Sequence, residues 1–263
     1  VNLMSKKVLI LASNYGLWAE ELQAPWDALR KAGFDLTLAT MQGKTPLPLV
    51  ISMDPTFIDP FQFYNVNPQP VVDRVNELLS NGEWDHPIRI KDASMDDYDA
   101  IVIVGGPGSA LDLVGNPHVH QLLVDAYNSD KLMGALCYAV GAFVWARTPR
   151  NGGKSIVYGK TITAHPKEWD FTDELAYPLQ GATPDNKGTD IVTPGFAFPL
   201  QVLMEDAVGP NGTVLSDNTA SRERPQVAFD WPFVTALSVE SSIAFGDKLV
   251  EVLSQVGQNA PTP

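Results

Sequence analysis

Three short apolar runs, each shut off by a turn, constrain this chain more than any other feature. Lys7-Val8-Leu9-Ile10-Leu11-Ala12, Asp99-Ala100-Ile101-Val102-Ile103-Val104 and Leu132-Met133-Gly134-Ala135-Leu136 are apolar without alternation. A strand with one face in water alternates apolar and polar residues, so a continuous run belongs to a parallel sheet covered on both faces. Helices separate the runs. Glu20 to Lys31 sets Leu22, Trp26 and Leu29 at helical spacing and stops at Gly33, and Phe34 to Thr40 resumes as strand. Asn116-Pro117 suits the N-cap and first turn of a helix running to about Ser129. Repeated strand–helix units imply an open, doubly wound, mostly parallel α/β sheet with helices on both faces. Ligands in such sheets bind at the carboxyl ends of the strands.

Two stretches interrupt the alternation. Residues 43–95 are rich in Pro, Asn and Asp and carry one helix, Val71–Leu79; residues 147–160 form a polar, Gly-rich insertion. The alternation resumes after each, so the reading is one domain over 1–263 with insertions at about 43–95 and 147–160. Trp231 to Ala236 reads as a late strand, Ser241 to Val256 as a closing helix, and the tail 258–263 is expected to fray. The net charge is −13, from 18 basic and 31 acidic residues, which argues against nucleic acid or an anionic membrane as partner. No apolar run approaches the roughly 20 residues of a membrane span. The single cysteine excludes an internal disulfide and any cysteine-based zinc or iron–sulfur site. With Lys6-Lys7 leading straight into a strand-like run, no secretion signal is read, and a reducing cytoplasm is the expected location. Asn211-Gly212-Thr213 is accordingly read as a turn rather than a glycan acceptor.

That cysteine, Cys137, stands where the run 132–136 gives way to small and apolar residues at helical spacing, Val140, Ala142, Phe143, Val144 and Ala146. A nucleophile on a strand-to-helix turn is held out at the sheet edge, and the amides of the following helix are expected to favour the thiolate over a thiol of pKa ~8.5. A buried structural cysteine is the competing reading. Three other segments converge on the same edge. Gly105-Gly106-Pro107-Gly108 follows a strand and can present backbone amides to a developing negative charge; Leu111 replaces the third glycine of a dinucleotide fingerprint. In the segment after the first strand, Glu20 fits a helix-dipole role while Glu21 can reach toward Cys137 and share its proton. Lys160-Thr161-Ile162-Thr163-Ala164-His165 reads as a strand delivering a histidine at its carboxyl end, which makes His165 the best-placed base of four. His118 and His120 are two apart and do not share a helix face, and His86 lies in the polar insertion, so no metal site and no cofactor is read. Trp18, Tyr138 and Trp169 are candidate pocket walls.

In this order, Gly16, Glu21 and Pro25, the Tyr98-Asp99-Ala100 approach to Gly105-Gly106, the Cys137 elbow, Thr163-Ala164-His165-Pro166, and Thr235-Ala236 with Ser241-Ser242 resemble the ThiJ/PfpI superfamily. That superfamily is a branch of the class I glutamine-amidotransferase-like, flavodoxin-like fold. The 43–95 insertion with Asp54 is most similar to the larger subgroup of heat-shock chaperones and glutathione-independent glyoxalase III enzymes. The resemblance implies Cys137 as nucleophile, Glu21 as its proton-sharing partner, His165 as a neighbouring histidine, and the amides of Gly106 and Tyr138 as the oxyanion site. It implies a cofactor-independent cysteine enzyme acting on a small electrophilic carbonyl substrate such as a 2-oxoaldehyde, and a homodimer. Two positions depart from the larger subgroup: Tyr138 stands where a histidine usually follows the cysteine, and Pro107 stands where a histidine often follows the glycine pair. Val239-Glu240-Ser241 also lacks the histidine of a glutaminase His-x-Glu pair. A specialised hydratase or lyase (for example on isonitriles) and a redox sensor or holdase with an oxidisable Cys137 therefore stay open beside the glyoxalase reading.

Overall fold

The apolar runs stack side by side as the middle of a seven-stranded sheet in a computed structural model that describes residues 5–60, 62–170, 175–177, 191–193 and 197–256. The tail at 258–263 lies outside them. In chain order the strands are β1 (Lys7–Leu11), β2 (Asp35–Thr40), β3 (Ile88–Arg89), β4 (Ala100–Ile103), β5 (Leu132–Leu136), β6 (Thr161–Thr163), β7 (Leu175–Tyr177), β8 (Ile191–Thr193), β9 (Thr213–Leu215), β10 (Val227–Asp230) and β11 (Phe233–Ala236). The helices are α1 (Ala19–Lys31), α2 (Gln69–Ser80), α3 (Ser109–Asp112), α4 (Pro117–Asn128), α5 (Lys167–Asp170), α6 (Leu200–Val208) and α7 (Ser242–Gln255). The large sheet has the order β10-β11-β5-β4-β1-β2-β3, parallel throughout except for β10 against β11. Leu9, Ile101, Met133 and Phe233 are register partners in one row across β1, β4, β5 and β11. All four are fully buried, each such side chain contributing about 1.5–3 kcal/mol of transfer free energy. This is the mostly parallel α/β sheet that the unalternating runs predict.

On one side of the sheet α1 and α7 cross closely. A Cβ on Gly246 would lie 3.1 Å from the Ala28 Cβ and 3.1 Å from the Pro25 Cα, so the missing side chain sets the approach of the two helices. Asn116 caps α4 as expected, accepting from the His118 N–H at 2.9 Å, and α4 buries Val119, Leu122, Leu123 and Ala126. Helix α2 buries Val72, Val75 and Leu78 at i, i+3 and i+6.

Three features differ from the sequence expectations. The tail of the 43–95 insertion returns as β3 and extends the large sheet beside β2. The strand leading to His165 is not in that sheet: β6 pairs in parallel with β9 as a separate two-stranded sheet. It is tied to the large one by Thr163 N–H donating to Thr235 Oγ1 at 2.9 Å and Thr161 N–H to Asp230 Oδ2 at 2.8 Å. The segment after Cys137 is a 3-10 turn over Cys137–Phe143 rather than an α-helix. Among the described residues no helix is long and apolar enough to cross a membrane.

Candidate active site

At the carboxyl end of β5 the chain turns at Cys137, whose φ of 57° lies in the left-handed region. A residue with a Cβ costs about 1–2 kcal/mol there. The glycine run after β4 closes over the turn: a Cβ on Gly105 would lie 2.5 Å from Glu21 Oε1, 2.5 Å from Leu136 O and 2.8 Å from the Cys137 Cβ. Gly106, at φ 107°, has its Cβ direction filled by Gly16 O at 2.3 Å and Trp18 N at 2.5 Å. The run therefore docks against the turn that starts α1, and this close fit brings Glu21 beside Cys137.

A cavity of about 150 Å³ opens over the cysteine, and Trp18, Glu21, Cys137, Tyr138, His165 and Trp169 all line it. Six sequence-predicted positions thus meet at one site. The 43–95 insertion adds Ile51, Phe57, Asp59 and Gln62 to the wall, and the segment after β11 adds Ser238 and Val239. His86 is exposed, and His120 on α4 bonds Val114 O through Nε2 at 2.6 Å. Among the described residues no group of three or more His, Cys, Asp or Glu is placed to hold a metal ion.

Glu21 is 1% exposed and its carboxyl stands beside the Cys137 thiol, which acts to lower its pKa; its Oε1 has no hydrogen-bond partner among the described residues. Burial pushes the Glu21 carboxyl well up from its ordinary range, and the nearby Glu240 and Glu20 charges add to the effect. Burial likewise pushes the Cys137 thiol well up, with the Glu21 charge acting in the same sense. Ser238 Oγ, 3.5 Å from the sulfur, and the Tyr138 N–H favour the thiolate but are outweighed. This corrects the expectation that the amides of a following helix favour the thiolate: a seven-residue 3-10 turn has little dipole, while a cysteine 3% exposed loses most of its hydration. Neither group of the pair is favoured as an isolated anion.

Beside it, Tyr138, His165 and Asp170 form a second buried network. The Tyr138 hydroxyl donates to Asp170 Oδ1, and His165 Nδ1 lies 2.7 Å from the same oxygen and 3.0 Å from Tyr138 Oη. The Tyr138 and His165 rings are 4.5 Å apart, and Trp169 meets His165 edge-on at 5.1 Å. Asp170 Oδ2 accepts the Leu200 N–H at 3.3 Å, which fixes the carboxylate against the start of α6. Tyr138, in the place of a histidine, thus reaches the histidine delivered by β6.

Sequence reasoning did not find Asp170, Ser238, Glu240 or Arg222. Asp170 follows His165 by five residues on α5, a spacing that carries no recognisable motif. Glu20, read as a dipole partner, is 1% exposed and instead takes Arg222 from 202 residues away at 2.6 and 2.7 Å.

Residues 12–168 match a family model described as ThiJ/PfpI family-like. An uncharacterized protein, MJ0967, of Methanocaldococcus jannaschii is 34% identical over 121 residues, covering 43% of this chain and 55% of that protein. The glutathione-independent glyoxalase hsp3101 of Schizosaccharomyces pombe is 24% identical over 203 residues, covering 70% of this chain and 76% of that protein. The chain thus spans just over half the length of the first of these relatives and about three quarters of the second. Among solved structures, the Rapid Encystment Protein of Francisella tularensis superposes with TM-score 0.69 at 19% identity, covering 94% of this chain and 99% of that one. Glyoxalase III of Candida albicans superposes with TM-score 0.66 at 18% identity, covering 94% of this chain and 96% of that one. At these identities the superpositions show a shared fold.

Proposed function

The chain belongs to the ThiJ/PfpI family, and on that premise we propose that it is a cofactor-independent cysteine enzyme acting on a small electrophilic carbonyl compound. The glyoxalase names of two relatives support a 2-oxoaldehyde as substrate. The observation that carries the reading is Cys137 held at φ 57° in the wall of a cavity, beside the buried carboxyl of Glu21. A strained, buried thiol next to a buried carboxyl is poorly explained by packing alone.

The chemistry follows from the proton count. The Cys137–Glu21 pair gives its proton to the aldehyde oxygen as the sulfur bonds to the aldehyde carbon, forming a hemithioacetal and leaving Glu21 ionised. The amides of Gly106 and Tyr138 stabilise the oxygen while it carries charge. Glu21, or His165, then removes the proton on that carbon and returns it to the adjacent carbon. The former aldehyde carbon becomes a thioester and the former ketone a hydroxyl. Water cleaves the thioester to a 2-hydroxy acid and restores the thiol, so the sum is substrate plus one water with no external oxidant. Asp170 orients His165, and Trp18, Trp169 and Phe57 exclude bulk water. The buried, raised thiol gives less support to a redox sensor, whose cysteine needs thiolate character and access.

The test is turnover of a panel of 2-oxoaldehydes, isonitriles and activated amides by wild type and Cys137→Ala. We expect hydroxy acid from the aldehydes with wild type, and at least a ~10³-fold loss in the folded variant. Equal turnover by both would sink the proposal.

A further inference from the structure

The charges around the cavity bear on what it can bind. Among the described residues that line it there is no lysine or arginine and one basic side chain, His165, which is held by Asp170, while Glu21 and Asp59 are both in the wall. Glu240 follows the wall residues Ser238 and Val239, is 2% exposed, and has an Oε2 with no hydrogen-bond partner among the described residues. The buried Tyr64 hydroxyl is likewise unpartnered. The nearby guanidinium, Arg222, is already committed: it grips Glu20 with two nitrogens and donates to Val66 O at 3.2 Å. The acids crowd one another, since Glu240 raises the pKa of Glu21 and of Tyr64, and Asp59 raises that of Glu240, where His165 acts in the opposite sense. A negative charge brought into this space adds to the repulsion, and a positive one relieves it. The walls act in the same sense. The Trp18 and Phe57 rings sit 6.2 Å apart at 58°, and Trp169 lines the same space. Aromatic faces attract cations.

We propose that the substrate is a small carbonyl compound that carries an amino group, bound in its ammonium form, and that Asp59 and Glu240 are the specificity-determining residues that select it over anionic analogues. The word carbonyl rests on the function proposed above; the charge selection applies to any ligand of the cavity. Its volume of about 150 Å³ admits a ligand about the size of benzene.

Three methanethiosulfonates of different charge test this on the full chain: aminoethyl (cationic), methyl (neutral) and sulfonatoethyl (anionic). In each case the thiolate bonds to the sulfenyl sulfur, the mixed disulfide forms, and methanesulfinate leaves with the electron pair. Intact mass reports the rate at Cys137. Relative to free cysteine, wild type is expected to favour the aminoethyl over the sulfonatoethyl reagent by a further factor of roughly ten or more. Asp59→Asn and Glu240→Gln should each shrink that factor while moving the neutral reagent's rate less. A ratio equal to that of free cysteine, or one unmoved by both substitutions, overturns the proposal. A second arm does without the thiol: benzylammonium and benzoate are titrated into Cys137→Ala and followed by tryptophan fluorescence. Tighter binding of benzylammonium supports the proposal, and benzoate binding as tightly or more tightly overturns it. If Cys137 is inert to all three reagents while benzylammonium binds, the cysteine-enzyme reading falls and the charge selection stands.

Discussion

Gly105→Ala is the sharpest perturbation of the site, because one methyl group touches all of its parts. The added Cβ would lie 2.5 Å from Leu136 O, 2.5 Å from Glu21 Oε1 and 2.8 Å from the Cys137 Cβ. The carboxylate can swing away, but the carbonyl belongs to β5 and the Cys137 Cβ to a turn already at φ 57°. Restoring ordinary contact requires about 1 Å of separation between the glycine loop and the elbow. Overpacking of this kind costs about 1–3 kcal/mol, which lowers the melting temperature by several degrees in a chain of this size. The functional loss should be larger, since a misplacement of about 1 Å at a reacting centre costs on the order of 10²-fold in rate. Circular dichroism melting, Cys137 alkylation by iodoacetamide and turnover are compared with Gly115→Ala, where an added Cβ meets nothing within 4 Å. Alkylation and turnover in Gly105→Ala equal to those of the control would refute the claim that the glycine sets the Glu21–Cys137 approach.

Arg222→Met leaves the buried Glu20 uncompensated and should destabilise by about 3 kcal/mol, read by urea denaturation; a loss below about 1 kcal/mol would show the pair to be dispensable. Burial raises Glu240 to about 7 and Asp112 to about 6, so the folded state binds more protons than the unfolded one. Stability should therefore rise as pH falls from about 8 to about 5, with Glu240 supplying at most about 3 kcal/mol. Melting temperatures across that range check this, and Glu240→Gln should flatten the slope. Tyr138→Phe removes one donor to Asp170 and should cost about 1 kcal/mol while lowering kcat more than it changes iodoacetamide alkylation, which steady-state and alkylation kinetics separate.

The sheet was legible because burial on both faces leaves its mark residue by residue: β1, β4 and β5 each fall within one of the unalternating apolar runs. Cys137, Glu21, Tyr138, His165, Trp18 and Trp169 were legible as a group because strand ends and helix starts are local events, and the α/β plan brings them to one edge. The segment after Cys137 was not, since its small apolar residues suit a 3-10 turn as well as an α-helix. The Glu20–Arg222 pair and the Asp59–Glu240 proximity were out of reach for another reason. They join residues about 200 positions apart, and no periodicity encodes which loop folds against which. Asp170 fell between the two cases: close in sequence to His165, but oriented by the packing of α6.

The bond between Cys137 and Ser238 spans 101 residues, and that separation has a consequence during synthesis. Part of the wall around the sulfur, Ser238 and Val239, is made long after the elbow itself, along with β11, which flanks β5. At ~5–20 residues per second, the ribosome needs roughly 5–20 s to supply those residues. For that interval the nascent chain carries the thiol without its Ser238 partner and without the strand that flanks its elbow. The final third of the sequence thus does two things as it emerges: it completes the sheet and withdraws the thiol from its surroundings.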